Sequence, residues 1–232
     1  AAIIDSKIYD NNLIIDTSPG WIDYEGYITK DFRDYGKLNL SEIISRSSNV
    51  GMVKLCSNME KNLLYDYLSM FSVGKYPSSI LINSREGFLS YTDAVTERDK
   101  VSACYGYGMS VTAIHLAQAY SILAAKGIYK ELKLFKNIDD EDSKGKRVLS
   151  LETSSIINNM LVQAVNSSIG TGKKARINGI SVSGKTGTSI KNQGEKNIYS
   201  AIFAGYAPSD QPKLVTIIAL HGLEDKNASA GL

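Results

Sequence analysis

The last third of the chain constrains its architecture most. Three apolar-rich stretches, Ile180 to Ile190, Ile198 to Tyr206 and Lys213 to Leu220, follow one another with only short polar connections, Lys191 to Asn197 and Pro208 to Pro212. Strands joined so closely pair antiparallel, because a parallel return needs a crossover of a dozen or more residues. Upstream, the apolar period is helical. Leu40 to Arg46, Asn49 to Met59, and Leu63, Leu64, Tyr67, Leu68 and Phe71 each place a stripe on one face. Two further helices are expected. One runs through Ile114, Ala117, Tyr120 and Leu123 to Gly127, capped by Ser110 or Thr112; the other carries Ile156, Ile157, Met160, Leu161 and Val165 behind Ser150. Helices followed by a block of strands imply an α+β fold with an antiparallel sheet flanked by helices.

At 232 residues and 43% hydrophobic content, the chain supports one large domain with a substantial core. A formal charge of +2, with acids and bases evenly mixed, argues against nucleic acid or an anionic membrane as principal partner. No apolar run approaches the roughly 20 residues that span a bilayer. From Asp5 to Leu38, turn residues and aromatics such as Trp21, Tyr24 and Tyr27 read as an irregular lobe or small hairpins, the tyrosines as cover for it. Turn signals prevail again from Gly74 to Thr96, and Ile128 to Ile138 reads as extended. The acidic stretch Asp139 to Gly145 lacks the glycine spacing of a calcium loop and reads as solvated. Cys56 and Cys104 lie in apolar surroundings and are expected to be buried thiols, not a disulfide or metal pair. His115 and His221 have no neighbours at metal-ligand spacing.

The first of the three strands carries the chemistry. Ser183-Gly184-Lys185-Thr186-Gly187-Thr188-Ser189 sets two glycines into a strand, where a glycine weakens pairing and marks a close approach by another backbone or a ligand. Lys185 supplies a cation, while Thr186, Thr188 and Ser189 supply hydroxyls and backbone N–H groups. That set suits an extended peptide ending in a carboxylate; the plain alternative is a glycine-rich turn with a solvated lysine. Upstream, Ser47-Ser48-Asn49 falls where one helical pattern breaks and the next begins. Other glycine motifs fail their tests. Gly106-Tyr107-Gly108 lacks the third glycine and the βαβ setting of a dinucleotide site, and Gly170-Thr171-Gly172-Lys173-Lys174 lacks the earlier glycine and following Ser or Thr of a phosphate loop.

Ser-x-Asn followed downstream by Lys-Thr-Gly-Thr is a signature of penicillin-binding proteins and class A β-lactamases. Together with Gly106 to Thr112 and Gly170 to Ala175, these motifs make the chain resemble, over nearly its whole length, the transpeptidase domain of a class B penicillin-binding protein, most similar to the division-specific type. Ala113 stands where relatives often have a proline. The resemblance implies the penicillin-binding transpeptidase / serine β-lactamase-like fold. It also implies a peptidoglycan D,D-transpeptidase of the septal wall, acting through an acyl-enzyme and open to β-lactams. In that reading Ser47, Asn49 and Lys185 are catalytic and Thr186, Gly187 and Thr188 bind substrate. Ser47, near lysine cations, relays a proton to the departing amine; Asn49 holds the substrate backbone and the nucleophile's lysine. Lys185, Thr186 and Thr188 take the terminal carboxylate of a D-alanyl-D-alanine stem peptide or of a β-lactam. The Thr188 N–H forms half of the oxyanion hole, and Gly187 leaves room for the substrate strand.

The family's nucleophile belongs to a Ser-x-x-Lys motif that precedes Ser-x-Asn. Here the match Ser72-Val73-Gly74-Lys75 follows Asn49 and contains a glycine that argues against a helix start, so it is read as accidental. Ala1-Ala2-Ile3-Ile4 resembles the end of the nucleophile helix. Residues 1–232 are therefore expected to be a partial transpeptidase domain, truncated at both ends, with the N-terminal strands and nucleophile helix missing. Relatives need no cofactor or metal. They act on peptidoglycan stem peptides beside a septal glycosyltransferase and other divisome proteins, from the bacterial inner membrane through a single-pass N-terminal anchor, with the catalytic domain in the periplasm. The alternatives are an elongation-type class B protein, a serine β-lactamase, a β-lactam sensor domain and an inactive divisome scaffold.

Overall fold

The computed structural model describes residues 1–10, 12–75, 87–89, 95–135, 145–193 and 196–223. The turn signals at 76–86 and 90–94, the acidic loop at 139–144 and the chain end at 228–232 lie outside the described residues.

Short apolar pieces separated by turn residues cannot build long elements, and residues 1–39 accordingly form a short helix, α1 (Ala2–Asp5), and four short strands. β2 (Trp21–Tyr24) and β3 (Tyr27–Lys30) make a hairpin closed by Glu25 and Gly26, both at positive φ as a two-residue turn of matching twist requires. β1 (Ile14–Asp16) pairs with β4 (Lys37–Asn39) across that excursion. Asn39 then starts α2 (Leu40–Arg46) with a reciprocal capping box: it accepts from the Glu42 N–H at 2.9 Å while Glu42 accepts from its own at 3.0 Å. Ser48 caps α3 (Asn49–Ser57) through the Gly51 N–H, and α4 (Lys61–Met70) follows.

β5 (Phe88–Leu89), α5 (Glu97–Ala103), β6 (Met109–Ser110), α6 (Ala113–Ala124), β7 (Ile128–Tyr129), β8 (Lys146–Arg147) and α7 (Leu151–Asn166) complete the helical part, β5 pairing with β6 and β7 with β8. The expected caps are present: Thr112 accepts from the His115 N–H, and Ser150 from the Thr153 N–H at 3.0 Å. His115 is wholly buried as part of its cap. Its Nδ1 accepts from the Thr112 N–H and its Nε2 donates to the Lys75 carbonyl at 2.7 Å. α5 was not legible as a helix, because its seven residues carry only Val101 as a large apolar group. Its signal was the capping box Thr96-x-x-Asp99.

α3 lies at the centre. Val53, Cys56, Met59, Leu64 and Val101 are buried on one side of it, and Leu55 joins Ile15, Leu38, Leu40, Ile43 and Met160 on the other. Each such side chain contributes about 1.5–3 kcal/mol of burial. At the C-terminal end of α3, the buried ammonium of Lys100 donates to the carbonyls of Ser57 and Met59 and pairs with Glu97 at 2.6 Å. Cys56 of α3 is joined to Cys104, the residue that ends α5, in a disulfide with a Cα–Cα separation of 6.5 Å. This corrects the expectation of two buried thiols. Apolar neighbours do bury Cys56, yet helix packing also brings the two Cα atoms within bridging distance, which 48 residues of separation conceal in the sequence.

The three C-terminal strands form the expected antiparallel meander. β9 (Ser183–Gln193), β10 (Lys196–Ala207) and β11 (Leu214–Leu223) lie in the order β11-β10-β9, so that among the described residues one edge of β9 is unpaired. β9 begins three residues later than its apolar pattern implies. A tight turn at Gly179, φ +77°, with an Ile177–Ile180 bridge, occupies the intervening segment. α6 and α7 pack on this sheet. Asn158 of α7 fixes the contact by accepting from Ser183 at 2.6 Å and from Tyr206 at 2.8 Å. No helix among the described residues is long and apolar enough to cross a membrane.

Candidate active site

Between the α2–α3 junction and the unpaired edge of β9 lies a cavity of about 560 Å³. Ser47, Ser48 and Asn49 border it on one side and Lys185 to Ser189 on the other; Tyr105 and Gly106 and, separately, Thr171 contribute to its walls, and Ile43, Ile44 and Met52 to its lining. All six residues singled out in the sequence, Ser47, Asn49, Lys185, Thr186, Gly187 and Thr188, border this one cavity.

Ser47 sits at the C-terminal end of α2 in the left-handed region, φ 56° and ψ 45°, where a residue with a Cβ is uncommon and mildly strained. Its neighbours compel that geometry. The Ser47 and Ser48 N–H groups bond back to Ile44 and Ile43, closing α2, while Ser48 already caps α3. The result leaves the Ser47 side chain exposed at the cavity. Asn49 is held at the first turn of α3 by Asp31, whose Oδ1 accepts from the Asn49 N–H at 2.6 Å and the Val50 N–H at 3.1 Å, and whose Oδ2 accepts from Ser48 at 2.6 Å. A carboxylate at a helix N-terminus meets the unpaired amides and the positive dipole end. The Asn49 amide also donates to the Lys30 carbonyl at 3.1 Å. Asp31 escaped the sequence reading because its partners lie 17 to 19 residues away in a different element.

Across the cavity, Lys185 Nζ donates to Ser47 Oγ and, at 2.9 Å, to the Thr186 carbonyl. Desolvation lowers the Lys185 ammonium from its ordinary 10.5 to about 8. Thr186 donates its hydroxyl to Thr171 at 2.9 Å, and the Thr171 N–H bonds to the Ser45 carbonyl, tying the glycine-rich segment after α7 to both walls. The two glycines of β9 have different causes. A Cβ on Gly187 would meet nothing nearer than Ile202 at 4.0 Å, so its space is open. A Cβ on Gly184 would lie 2.5 Å from the Phe203 ring and 3.1 Å from the Ala204 carbonyl, so of the two expected causes, a neighbouring backbone or a ligand, this glycine answers to the neighbouring strand.

The opposite wall is anchored by the Tyr105 hydroxyl, 3.2 Å from Thr29 Oγ1, and by the disulfide that ends at Cys104. Thr171, Tyr105 and Asp31 were not identified as site residues from sequence. By contrast, Ser72 and Lys75 take no part in the lining. Ser72 is buried at a positive-φ position in the turn after α4, and the Lys75 carbonyl is taken up by His115.

A serine lodged between two helices and bonded to the lysine of a glycine-containing edge strand is the site of a penicillin-binding fold. The family model described as the penicillin binding protein transpeptidase domain matches residues 1–231, and the chain belongs to that family. It is 31% identical over 213 residues to the peptidoglycan D,D-transpeptidase FtsI of Escherichia coli K12, covering 90% of this chain and 35% of that protein. It is 32% identical over 216 residues to the FtsI of Buchnera aphidicola subsp. Schizaphis graminum, covering 91% of this chain and 37% of that one. The apo transpeptidase domain of Burkholderia pseudomallei penicillin-binding protein 3 superposes with a TM-score of 0.90 at 27% identity, covering 99% of this chain and 70% of that domain. The chain thus spans about a third of the length of these curated relatives.

Proposed function

We propose that the complete protein is a peptidoglycan D,D-transpeptidase of the division type. The observation that carries this reading is the contact of Lys185 with Ser47 across a cavity bordered by a strand edge that is unpaired among the described residues. A stem peptide laid along β9 would place its terminal carboxylate against Lys185, Thr186 and Thr188, where charge-assisted hydrogen bonds are available. Acyl transfer then needs a serine hydroxyl to attack the penultimate D-alanine carbonyl. The C–N bond breaks, and the terminal D-alanine leaves with a proton. Ser47, bonded to a lysine of lowered pKa, suits that proton relay in either direction. Asn49, fixed by Asp31, is placed to hold the peptide backbone, and the Thr188 N–H to share in the oxyanion hole. On this reading the attacking serine comes from a part of the protein other than residues 1–232, since Ser72 lies off the cavity. An amine of a second stem peptide resolves the ester and restores that serine. The Cys56–Cys104 bond supports an oxidising compartment, as for a periplasmic domain on an inner-membrane anchor.

The test is to treat the complete protein with a fluorescent penicillin and, separately, with a D-alanyl-D-alanine stem peptide. A single covalent label on a serine outside residues 1–232, with D-alanine released from the peptide, is expected. No label, or a label on Ser47 or Ser72, contradicts the proposal.

A further inference from the structure

Beside the candidate active site, and sharing Thr171 with it, is a second cleft of about 270 Å³. Its lining contains three cationic side chains, Arg33, Arg46 and Lys173, and no carboxylate. Two of them crowd one ring: the Arg33 guanidinium is 5.6 Å and the Arg46 guanidinium 5.2 Å from the centroid of Tyr35. Stacking on an aromatic face compensates each cation in part, but like charges gathered at one place repel, and a shared anion relieves that repulsion. The Asp31 charge reaches Tyr35, but no carboxylate lines the cleft. None of the three is in an ion pair among the described residues. The acids nearest in sequence are committed elsewhere, Asp31 to Ser48, Asn49 and Val50, and Asp34 to the Gly36 N–H at 2.8 Å. Arg46 Nε is shielded from solvent yet bonds to nothing among the described residues, a condition that asks for a missing acceptor.

We propose that this cleft is a second anion site, which takes the carboxylate of an acidic residue in the peptide strand bound at the neighbouring cavity. The proposal rests on the reading of that cavity as a peptide site. Guanidinium forks match a planar carboxylate in bidentate fashion, which ammonium groups cannot do. The cleft holds more than a bare ion, and Phe32 on its rim, 95% exposed, gives the short apolar stem of an acidic residue a surface to cover. The position is set by the catalytic frame itself. Arg46 immediately precedes Ser47, and Thr171 accepts from the Thr186 hydroxyl, so a strand leaving β9 past Thr186 meets these cations next. A peptide gripped at Lys185 and at this cleft is fixed at two points, which sets its register along the strand edge.

The test uses the complete protein already acylated by a small penicillin, so that the Lys185 cavity is filled, and isothermal titration with three probes. These are a tripeptide with a central glutamate, the same tripeptide with that carboxylate amidated, and inorganic pyrophosphate. The acidic tripeptide is expected to bind, the amidated one at least about tenfold more weakly, and Arg33→Gln with Lys173→Gln to lose about as much, as for a charge-assisted hydrogen bond removed. Lys173→Arg should retain binding. Equal binding of the acidic and amidated peptides, binding of pyrophosphate alone, or affinity that survives Arg33→Gln with Lys173→Gln would each overturn the proposal. Failure of the penicillin to acylate the wild-type protein would instead count against the transpeptidase reading, and titration of the unacylated protein would still report on the cleft.

Discussion

Removing the Cys56–Cys104 bond should destabilise the protein and loosen one wall of the site. The bridge closes a span of 48 residues, and the chain-entropy relation assigns a loop of that length about 4 kcal/mol at 25 °C. Native strain and residual structure in the unfolded chain make that figure an upper value. For a domain of this size each kcal/mol moves the melting temperature about 2–4 °C, so the ceiling is a fall of about 8–16 °C. The substitution that isolates the bond is Cys56→Ala with Cys104→Ala in the complete protein, since alanine adds no hydroxyl at the buried Cys56 position. Differential scanning calorimetry of the wild type should show a loss on adding a thiol reductant that the double variant does not show. Acylation by penicillin should slow in parallel, because Cys104 leads directly into Tyr105 and Gly106 at the cavity wall. Two free thiols in the untreated protein, or identical melting with and without reductant, would refute the reasoning.

Four further outcomes are expected. The Lys185 ammonium titrates near 8, so a reversible carboxylate ligand such as D-alanyl-D-alanine should lose affinity as the pH rises through about 8, read by titration calorimetry. Between 8 and the unfolded value of 10.5 the unfolded chain binds a proton that the folded chain does not, so Lys185 makes stability rise with pH in that window; Lys185→Met should flatten that slope in urea unfolding. Asp31→Ala strips the start of α3 of its acceptor and should cost about 1–3 kcal/mol in urea unfolding, with slower acylation because Asn49 loses its anchor; unchanged values would deny Asp31 that role. Ser72→Ala should leave the acylation rate of the complete protein unchanged, and a variant that no longer labels would restore Ser72-Val73-Gly74-Lys75 as a nucleophile motif.

Legibility followed the range of the interaction. α2 and the α3 start could be read to the residue from their apolar period and its break at Ser47-Ser48-Asn49, and the structure adds that Asn39 and Ser48 cap them through groups three positions away. The meander was legible because its connections are too short for any other pairing. Ser47, Asn49 and Lys185 were legible as motif positions, and the fold brings them to one cavity although 138 residues separate Ser47 from Lys185. What depends on distant partners was not legible. Asp31 has no local pattern, the Cys56–Cys104 pairing is set by how α3 meets α5, and Gly184 answers to Phe203 on the neighbouring strand. The cationic cleft was hidden for the same reason: Arg33, Arg46 and Lys173 come from three separate segments, each unremarkable in a chain of balanced charge.

Acyl transfer at the cavity between Ser47 and Lys185 is the proposed activity of the complete protein. It is tested most directly by the second-order rate of acylation of the complete protein by a penicillin, measured by stopped flow for wild type and Lys185→Ala. Melting temperature is followed in parallel. The expected rate is lower by roughly 100-fold or more, on the scale of losing one group that stabilises the transition state, at a melting temperature no lower than that of the wild type, since the half-buried ammonium serves the site and not the core. A Lys185→Ala protein acylated at the wild-type rate would contradict it.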